Sequence, residues 1–577
     1  MCGIFGYLAR PGNKLSFSYR NLWNSLFRQN GRGPDNMQLE KLSEQMVLGF
    51  NRLRINDLSE GGDQPLKMGN ISVIANAEIY NYEAIKAKYG FEFRSSSDCE
   101  IFLHLYKKFG NVEDFIQELD GVFAFILHDG DTGQTYVGRD PIGVRPIFIG
   151  QDSQGNYGFA SEAKTLLGLC EADSVRPFLP GHTWSSSTER MTKWYNPTIN
   201  YEETDLATFD EATALQTTAE LLYASTQKRM MSDRPIGTFL SGGLDSSVVA
   251  AFLKKSQRES GANVNLNTFS IGLRGSPDLA YAHQVAEHIG STHHHVEIHK
   301  DDCLSAVEDV VYATETFDVT TIRASTPMYL LSKYVRTHTD DVVIYSGEGS
   351  DEVTQGYLYF KNQPTPYDGA VESKKLLDQL YLFDVLRVDR TTAAHGLEVR
   401  EPFLDKAFMQ HYLNLPTNIK CPRNGIEKFH LREAIDRTFP GLLPQEVVWR
   451  QKEAFSDGVS SYKEKSWVDE LKDFCDSIIT DEEFEEERKL YSPMPMFKDA
   501  LYLRRLYNKS YGSISTPLIS HYWVPNWSGV NPDSSARVVG LLDADSEDRK
   551  LRQAGLSDRM FTKAQIRDPH AHARRGF

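Results

Sequence analysis

A chain of 577 residues with 40% hydrophobic and 25% charged residues has the composition of a soluble globular protein, and its length predicts two or three domains. The net charge of −16 argues against nucleic acid as the main partner. No apolar run reaches the roughly 18 residues of a membrane helix, and the first residues lack a signal-peptide pattern. With six scattered cysteines and no C-x-x-C pair, we expect a cytoplasmic protein without disulfides, a zinc site or membrane contact.

The chain begins Met1-Cys2-Gly3-Ile4-Phe5-Gly6, which places a cysteine at the second position. If Met1 is removed, Cys2 carries both a thiol and a free α-amino group. An amine with a reference pKa of about 8 can act as a base beside its own nucleophile. A cysteine here can also be accidental, so its assignment as a nucleophile depends on the rest of the domain.

Further motifs come after Cys2 in order. They are Arg32-Gly33-Pro34-Asp35, Arg52-Leu53, Gln64-Pro65-Leu66, Asn76-Ala77-Glu78-Ile79-Tyr80-Asn81 and Ser97-Asp98-Cys99-Glu100. Together they resemble the glutaminase domain of class II glutamine amidotransferases, which are N-terminal nucleophile hydrolases. The resemblance implies a four-layer αββα sandwich over residues 2–197. Short apolar runs at 71–75, 122–127 and 135–137 are typical of its strands.

The resemblance assigns catalytic roles. Cys2 sulfur would attack the side-chain amide of glutamine, and the tetrahedral oxyanion would be bound by the Asn76 side-chain amide and the Ala77 backbone N–H. Each such donor is worth about 3–4 kcal/mol. The family usually has Gly at Ala77, where a methyl disfavours positive φ, and His at Gly31. These departures bear on the rate of glutamine hydrolysis more than on its existence.

The same resemblance implies a glutamine pocket. Arg52 would pair with the substrate carboxylate, because its guanidinium fork matches two oxygens, and Asp98 and Glu78 would take the α-ammonium group. Taken singly, such residues are as easily surface charges or turn residues. The full set of implied glutamine contacts is Arg52, Leu53, Ile55, Asn76, Glu78 and Asp98.

Three motifs rich in proline, glycine and charge close this domain. They are Arg139-Asp140-Pro141-Ile142-Gly143, Phe159-Ala160-Ser161-Glu162-Ala163-Lys164 and Phe178-Leu179-Pro180-Gly181-His182. We expect them to shape a domain interface rather than to carry chemistry. The polar, acidic segment 198–210 is predicted to be a linker, and helical periodicity at 215–231 begins the next domain.

The chain is organised around Ser241-Gly242-Gly243-Leu244-Asp245-Ser246-Ser247. An apolar run at 236–240 precedes it and an apolar helical pattern at 248–253 comes after it, which predicts a strand, a glycine-rich loop and a helix. Glycines let backbone N–H groups approach an anion, and a helix N-terminus adds positive charge. No Lys follows the second Gly, so this is not a P-loop. It resembles the pyrophosphate loop of ATP pyrophosphatases; a plain glycine turn is the alternative.

A second loop repeats this arrangement. A β-branched run at 342–345 leads into Ser346-Gly347-Glu348-Gly349-Ser350-Asp351-Glu352, and another buried strand is predicted at 268–273. Alternating strands and helices predict a parallel α/β sheet with ligands at the carboxyl ends of its strands. Asp245 and Asp351 suit Mg²⁺ between carboxylate and phosphate oxygens, and Lys452 could neutralise the leaving pyrophosphate. Solvated turns are the alternative for either loop alone.

Both sets of motifs together resemble the glutamine-hydrolysing asparagine synthetases over roughly residues 2–525, with support at 320–328, 398–405 and 450–458. The resemblance implies an ATP-pyrophosphatase synthetase domain over 211–527. Glu348 would act at the β-aspartyl-AMP step, with Asp384 and Arg387 near the acyl-adenylate. Charges at i and i+3 also form surface ion pairs worth a few tenths of a kcal/mol. The implied ATP contacts are Leu240, Ser241, Gly242, Gly243, Asp245, Ser246, Ile271, Ser346, Gly347 and Lys452.

The resemblance implies glutamine, aspartate and ATP with Mg²⁺ as substrates, no organic prosthetic group, and a passage that keeps ammonia unprotonated. A homodimer is left open. Two alternatives remain: a related amidotransferase that acts on another carboxylate, and a weakly active or non-catalytic homologue, favoured only by Ala77 and Gly31. The related enzymes that close β-lactam rings typically lack the nucleophilic cysteine, so Cys2 argues against them.

Three further segments carry no expected chemistry. His293-His294-His295 would lie on a strand, where consecutive side chains point to opposite faces and cannot easily share a metal. The acidic run 481–488 is predicted to be a solvated helix face. Residues 528–577 are polar, and we expect a mobile tail.

Overall fold

The computed structural model describes residues 1–261, 265–452, 466–512, 518, 519, 521, 523 and 525–527. The predicted tail at 528–577 and residues 453–458 of the motif at 450–458 lie outside this part of the chain. Within it, no helix combines the length and apolar character needed to span a membrane.

Residues 3–193 form two antiparallel sheets of six strands each. The strands are β1 (Gly3–Leu8), β2 (Asn36–Lys41), β3 (Met46–Arg52), β4 (Leu66–Met68), β5 (Ile71–Ile79), β6 (Gly121–Asp129), β7 (Gln134–Arg139), β8 (Phe148–Gln151), β9 (Tyr157–Ala160), β10 (Arg176–Pro177), β11 (His182–Ser185) and β12 (Arg190–Lys193). The helices are α1 (Tyr19–Phe27), α2 (Tyr82–Tyr89) and α3 (Ile101–Phe109). The sheet orders are β10-β8-β9-β1-β3-β2 and β12-β11-β7-β6-β5-β4.

The two sheets pack face to face between helices. Alternation along β6 shows this: Ala124 and Ile126 join the core between the sheets, while Phe123 and Phe125 pack on the other side with α3. On the first sheet, α1 covers the outer face at Phe5 and its neighbours. The predicted αββα sandwich and its three predicted strands are confirmed.

The second region is built on one parallel five-stranded sheet, as predicted. Its strands are β13 (Ile236–Phe239), β14 (Asn267–Leu273), β15 (Thr292–Ile298), β16 (Val343–Tyr345) and β17 (Glu398–Arg400). Its helices are α4 (Glu211–Lys228), α5 (Leu244–Glu259), α6 (Pro277–Ile289), α7 (Lys300–Thr314), α8 (Val319–His338), α9 (Ser350–Thr354), α10 (Pro366–Gln379), α11 (Asp384–Ala393), α12 (Lys406–Asn414), α13 (Thr417–Lys420), α14 (Phe429–Thr438), α15 (Gln445–Val448), α16 (Trp467–Ile478), α17 (Asp481–Glu487) and α18 (Lys498–Tyr511). The strand order is β15-β14-β13-β16-β17.

Helices cover both faces of this sheet. Val343 and Tyr345 of β16 join one core with α4, α5, α6 and α14, while Ile344 between them joins the opposite core with α7, α8, α16 and α18. Burial on both faces explains why the central strands β13 and β16 read as continuous apolar runs, whereas the edge strand β15 is polar and partly exposed.

The segment 198–210, predicted to be a linker, has no helix or strand. It lies along the second region: the Asn200 backbone N–H donates to the Leu413 carbonyl at 3.0 Å, and Thr204 pairs with Asn418. The helix predicted at 215–231 instead begins at Glu211, because the Asp210 side chain caps it.

The histidine run and the acidic run have structural partners. His293 on β15 lies 2.9 Å from the hydroxyls of both Thr268 and Ser270, and His294 stacks on Phe269. In the acidic run, α17 exposes most of its carboxylates but buries Phe484, so one face of this helix packs rather than being solvated all round.

Candidate active sites

Two loops of the parallel sheet meet where the strand order reverses. Strands β13 to β15 extend in one direction and the chain then crosses to β16 on the other side of β13. Sheets of this kind bind ligands at the carboxyl ends of such neighbouring strands. The loops after β13 and β16 touch at Gly347, where an added Cβ would lie 2.7 Å from the Ser246 nitrogen. Glycine is therefore required for this approach.

The loop after β13 is closed on itself by its serines. The Ser241 backbone N–H donates to Ser246 Oγ at 3.1 Å, and the two hydroxyls lie 3.0 Å apart. Gly243 is the N-cap of α5, so the first N–H groups of a long helix face this turn, which favours an anion. Gly242 faces the other way, against Ala282 of α6.

A cavity opens between the two loops. Of the predicted ATP contacts, all except Gly242 line it, namely Leu240, Ser241, Gly243, Asp245, Ser246, Ile271, Ser346, Gly347 and Lys452. The four predicted acidic and basic residues Glu348, Asp351, Asp384 and Arg387 line the same space. Candidates from separate segments of the sequence therefore converge on one site.

Two aspartates and two lysines form the charged part of this cavity. Lys428 Nζ lies 2.6 Å from Asp245 Oδ2 and 2.5 Å from Asp351 Oδ1. Lys452 Nζ lies 2.7 Å from Asp351 Oδ2 and 3.7 Å from Asp245 Oδ2. Burial would raise the pKa of Asp351, but the two lysines outweigh it and hold that pKa well below its ordinary value. Asp351 is therefore ionised at neutral pH.

The two carboxylates fit a divalent cation. A single ammonium nitrogen lies within 2.6 Å of both, so their oxygens already converge on one cationic centre. Mg²⁺ usually takes one or two protein carboxylates and completes its shell with phosphate oxygens and water. No group of three His, Cys, Asp or Glu side chains in the described segments could hold a metal, so further ligands would come from the substrate.

A second charged group lies at the start of α11. Arg387 Nη2 donates to Glu348 Oε2 at 2.7 Å and lies 3.0 Å from Asp384 Oδ1. The Arg387 side chain is 7% exposed, and Asp384 accepts from the Tyr357 hydroxyl at 3.2 Å. The surface ion-pair alternative for Asp384 and Arg387 is therefore wrong. Burial raises the pKa of Glu348 to about 7 in spite of Arg387, so this carboxyl titrates near neutral pH.

The cysteine site lies at the amino end of β1. The Cys2 backbone N–H donates to Asn76 Oδ1 at 3.1 Å, and the Leu53 N–H lies 3.4 Å from Cys2 Sγ. Arg32 Nε donates to the Cys2 carbonyl at 3.0 Å, so the backbone of Cys2 is held from two sides. Burial raises the pKa of the thiol above its ordinary value, and a neighbouring base is therefore needed. Loss of Met1, which is buried here, would supply the amine.

The Asn76 amide is the side chain best placed to bind an oxyanion. Its oxygen accepts from Cys2, while its buried Nδ2 has no hydrogen-bond partner among the described residues. A buried unpaired donor costs free energy. That donor is therefore available to a ligand beside the Cys2 sulfur.

The Ala77 N–H points away from the neighbouring strand β6. Ala77 lies opposite Phe123, and Phe123 directs both its N–H and its carbonyl to Asp140 on the far side of β6. In an antiparallel ladder, the backbone N–H and carbonyl groups of two opposed residues either bond to each other or all point away from the partner strand. Those of Phe123 point away, so those of Ala77 do as well. Ala77 is also in a strand, where backbone is extended, so its methyl introduces no positive-φ strain.

The flanking groups on this edge are already bonded. The Ala75 N–H donates to Gln64 Oε1 at 2.6 Å, and the Ile79 N–H donates to Asp98 Oδ2 at 2.7 Å. Ala77 lies between them, one residue from Asn76. The role of the Ala77 N–H as the second oxyanion donor therefore stays a prediction, and its strand backbone removes the objection that came from the departure from glycine.

Arg52 is held within its own loop. One guanidinium nitrogen donates to the Ser59 carbonyl at 2.6 Å and pairs with Asp63, and the other donates to the Asp57 carbonyl. Pairing with a substrate carboxylate would require Arg52 to exchange one of these partners. Ile55 is buried nearby, and its carbonyl accepts from the Asp233 N–H at 3.0 Å.

The two acids predicted to bind an α-ammonium group have different surroundings. Burial raises the pKa of Asp98 to about 6, whereas burial and Glu398 raise the pKa of Glu78 well above its ordinary value in spite of Arg400. Glu78 accepts from Asn56 at 2.7 Å and lies 3.1 Å from Arg400. With a pKa of about 6, Asp98 is ionised at neutral pH.

Buried ion pairs join the two sites across the domain interface. Arg32, which holds the Cys2 carbonyl, makes a bidentate pair with Asp389 of α11 at 2.7 and 2.9 Å. The same helix carries Arg387 in the cavity. Glu162, from one of the closing motifs, lies 3.2 Å from Arg32 and 3.3 Å from Arg390, so this motif shapes the interface as predicted.

Sequence reasoning missed several of these residues. Lys428, Arg432 and Asp389 are single charges without a motif spacing, and nothing local distinguishes them from surface charges. Arg400 lies in the supporting stretch 398–405, but no role was assigned to it. Only the density of charge within buried segments such as 384–405 could have indicated them.

Replacing Asn76 with alanine is expected to lower kcat for glutamine hydrolysis by about 10²–10³-fold, because one oxyanion donor is lost. Steady-state glutaminase assays measure this. Asn76→Asp keeps the oxygen that faces Cys2 but replaces the donor with a second, negatively charged oxygen, so it should be at least as impaired. An active Asn76→Asp enzyme would show that the amide is not an oxyanion donor.

A cysteine site with oxyanion donors, joined in one chain to a phosphate-type cleft, defines a glutamine amidotransferase coupled to a synthetase that uses ATP. The glutamine amidotransferase domain family matches residues 1–189, and the asparagine synthase family matches residues 217–372 and 371–527. The chain belongs to the family of glutamine-hydrolysing asparagine synthetases.

Relatives of full length support this assignment. The chain is 42% identical over 565 residues to the glutamine-hydrolysing asparagine synthetase of Gallus gallus, and 41% identical over 564 residues to that of Mus musculus; each alignment covers 93% of this chain and 98% of the relative. Among solved structures, a glutamine phosphoribosylpyrophosphate amidotransferase from B. subtilis has a TM-score of 0.30 and 15% identity, covering 51% of this chain and 81% of that one.

Proposed function

We propose that this protein makes asparagine from aspartate and ATP, using ammonia that it releases from glutamine. The observation that carries the proposal is the presence of two candidate sites in one chain. Cys2 lies beside Asn76, whose Nδ2 has no hydrogen-bond partner within the described part of the chain, while Asp245, Asp351 and Lys452 line a separate cavity. The Arg32–Asp389 pair connects the two. An ATP–pyrophosphate exchange that requires aspartate tests the choice of acceptor.

The first site releases ammonia by acyl transfer. Cys2 sulfur attacks the side-chain carbonyl carbon of glutamine, Asn76 and Ala77 donate to the oxyanion, and the C–N bond breaks to leave a thioester and ammonia. Water then hydrolyses the thioester to glutamate. Asp98 holds the α-ammonium group of the substrate. Leu53, whose N–H lies 3.4 Å from the sulfur, and Ile55 contribute to the glutamine pocket.

The second site activates the acceptor. A side-chain oxygen of aspartate attacks the α-phosphorus of ATP, and the bond to pyrophosphate breaks. Asp245 and Asp351 would hold Mg²⁺, which when bound neutralises charge on the phosphates. Lys452 contacts the leaving pyrophosphate. Ammonia then attacks the β-carbonyl of the adenylate, AMP leaves, and Glu348 is placed to accept the proton that ammonia loses.

Ammonia must reach the second site in its neutral form, which explains why the two domains belong to one chain. The interface between them is closed by side chains with almost no exposure, including Arg32, Asp389 and Arg145. Exclusion of water keeps ammonia unprotonated and prevents its loss.

Glutamine use is expected to weaken at low pH. Burial raises the pKa of Asp98 to about 6, so its negative charge is present above that pH and is lost as the pH falls through it. The α-ammonium group then loses its partner, and KM for glutamine should rise by up to about tenfold for each pH unit below 6. Steady-state kinetics between pH 5 and about 8 measure this rise.

The matched variant is Asp98→Asn. It should have a raised KM for glutamine at neutral pH and no further rise near pH 6, while KM for aspartate in the ammonia-dependent reaction stays unchanged. An equal rise below pH 6 in both enzymes would assign the effect to another group.

A further inference from the structure

The two lysines of the ATP cavity come from separate segments that need a common anchor. Lys428 precedes α14 and Lys452 comes after α15, 24 residues later in the chain. Lys428 has a left-handed backbone, with φ of 55°, which is uncommon for a side chain of this size. Nothing within either segment alone would bring both ammonium groups to the same pair of aspartates.

Glu427 is bonded to both segments. Its Oε1 accepts from the Lys452 backbone N–H at 2.7 Å and from Arg432 Nη2 at 2.7 Å. Its Oε2 lies 3.1 Å from Lys361 Nζ. Glu427 is 1% exposed, and it immediately precedes Lys428.

Arg432 completes the connection. Its Nε donates to the Glu427 carbonyl at 2.9 Å, and its Nη1 donates to the Val448 carbonyl. The turn before α14 is thereby tied to the end of α15 as well as to Lys452. Burial would raise the pKa of Glu427, but Lys361 and Arg432 outweigh it and lower that pKa to about 2. The carboxylate is therefore charged across the working pH range.

Glu427 does not line the cavity itself, whereas Lys428, Arg432 and Lys452 do. We propose that Glu427 is a positioning residue for the pyrophosphate leaving group of ATP, acting by holding Lys428 and Lys452 in register opposite Asp245 and Asp351. The proposal rests on the ATP cavity of the proposed function and adds the residue that assembles its cationic side.

The test is a double-mutant cycle on pyrophosphate binding, measured by calorimetry with Mg²⁺ and the full-length protein. Glu427→Gln keeps the size of the side chain and loses its charge, and it should weaken binding by about tenfold. In a Lys452→Met background the same change should weaken binding clearly less than tenfold, by about threefold, because one of the two lysines that Glu427 positions is gone. An equal loss in both backgrounds would overturn the proposal.

Two further variants separate positioning from folding. Glu372→Gln removes the charge of another buried carboxylate of the same domain, which is bonded to Tyr359 and Lys375. It should leave pyrophosphate binding unchanged. A tenfold loss of affinity in this variant would overturn the proposal, because the loss of any buried carboxylate would then weaken binding. The melting temperature shows whether Glu427→Gln folds. If it does not fold, pyrophosphate binding is measured on Glu427→Asp instead, and binding equal to that of the wild type refutes the proposal.

Asparagine formation is not the readout, so the proposal and the proposed function fail separately. If the wild-type protein binds pyrophosphate but not aspartate, the assignment of aspartate as the acceptor is wrong, and the proposed role of Glu427 is unaffected. Wild-type protein that does not bind magnesium pyrophosphate would overturn the ATP cavity and this proposal with it.

Discussion

Replacing Cys2 with alanine is expected to abolish glutamine-dependent asparagine synthesis, by more than about 10³-fold, and to leave ammonia-dependent synthesis intact. The variant loses the sulfur that forms the thioester, and no other nucleophile replaces it. It keeps the Asn76 contact, the Arg32–Asp389 pair and the whole ATP cavity. Parallel assays with glutamine and with ammonium chloride as nitrogen source measure both activities in one preparation.

Cys170→Ala is the matched control. Cys170 is a buried thiol of the same domain that lies against Gly158 and Leu166, and its removal should leave both activities within about threefold of wild type. Glutamine-dependent synthesis that survives in Cys2→Ala would show that the nucleophile is elsewhere. A loss of ammonia-dependent synthesis would show that the two sites cannot be separated.

Replacing Asp351 with asparagine should have the reverse effect. Synthesis from either nitrogen source, and ATP–pyrophosphate exchange, should fall by about 10³-fold or more, because the variant loses a candidate metal ligand and the main partner of Lys452. Glutamine hydrolysis should continue. Asparagine keeps the shape of the side chain, so less of the effect comes from packing than in Asp351→Ala.

Asp341→Asn is the control for this change. Asp341 is 3% exposed and accepts from Asn267 at 2.6 Å, at the amino end of β16, whereas Asp351 lies beyond the carboxyl end of the same strand. Exchange in Asp341→Asn should stay near the wild-type rate. Normal exchange in Asp351→Asn would remove this carboxylate from the adenylation reaction.

Motifs with a fixed spacing could be predicted from the sequence, and the structure shows why. The loops after β13 and β16 need glycines where two backbones touch, as at Gly347, and they carry acids that pair with Lys428 and Lys452. Such requirements leave a readable pattern in a short stretch of chain. The strands that carry these loops were also predictable, because a sheet covered on both faces needs continuous apolar runs.

Contacts between distant segments could not be predicted. The pairs Arg32–Asp389 and Glu427–Lys452 join residues whose local sequences give no indication of each other. The oxyanion site shows the same limit in another form. Ala77 was expected to be unfavourable on the assumption of positive φ, but its strand backbone is extended, which the sequence did not reveal.

The most direct test of the central claim traces the nitrogen. Wild-type protein is incubated with glutamine labelled with ¹⁵N in its side-chain amide, together with aspartate, ATP and Mg²⁺, and the products are analysed by mass spectrometry. The proposed function predicts asparagine with ¹⁵N in its side-chain amide, and AMP and pyrophosphate in amounts equal to that asparagine. Asparagine without the label, or ADP and phosphate in place of AMP and pyrophosphate, would contradict it.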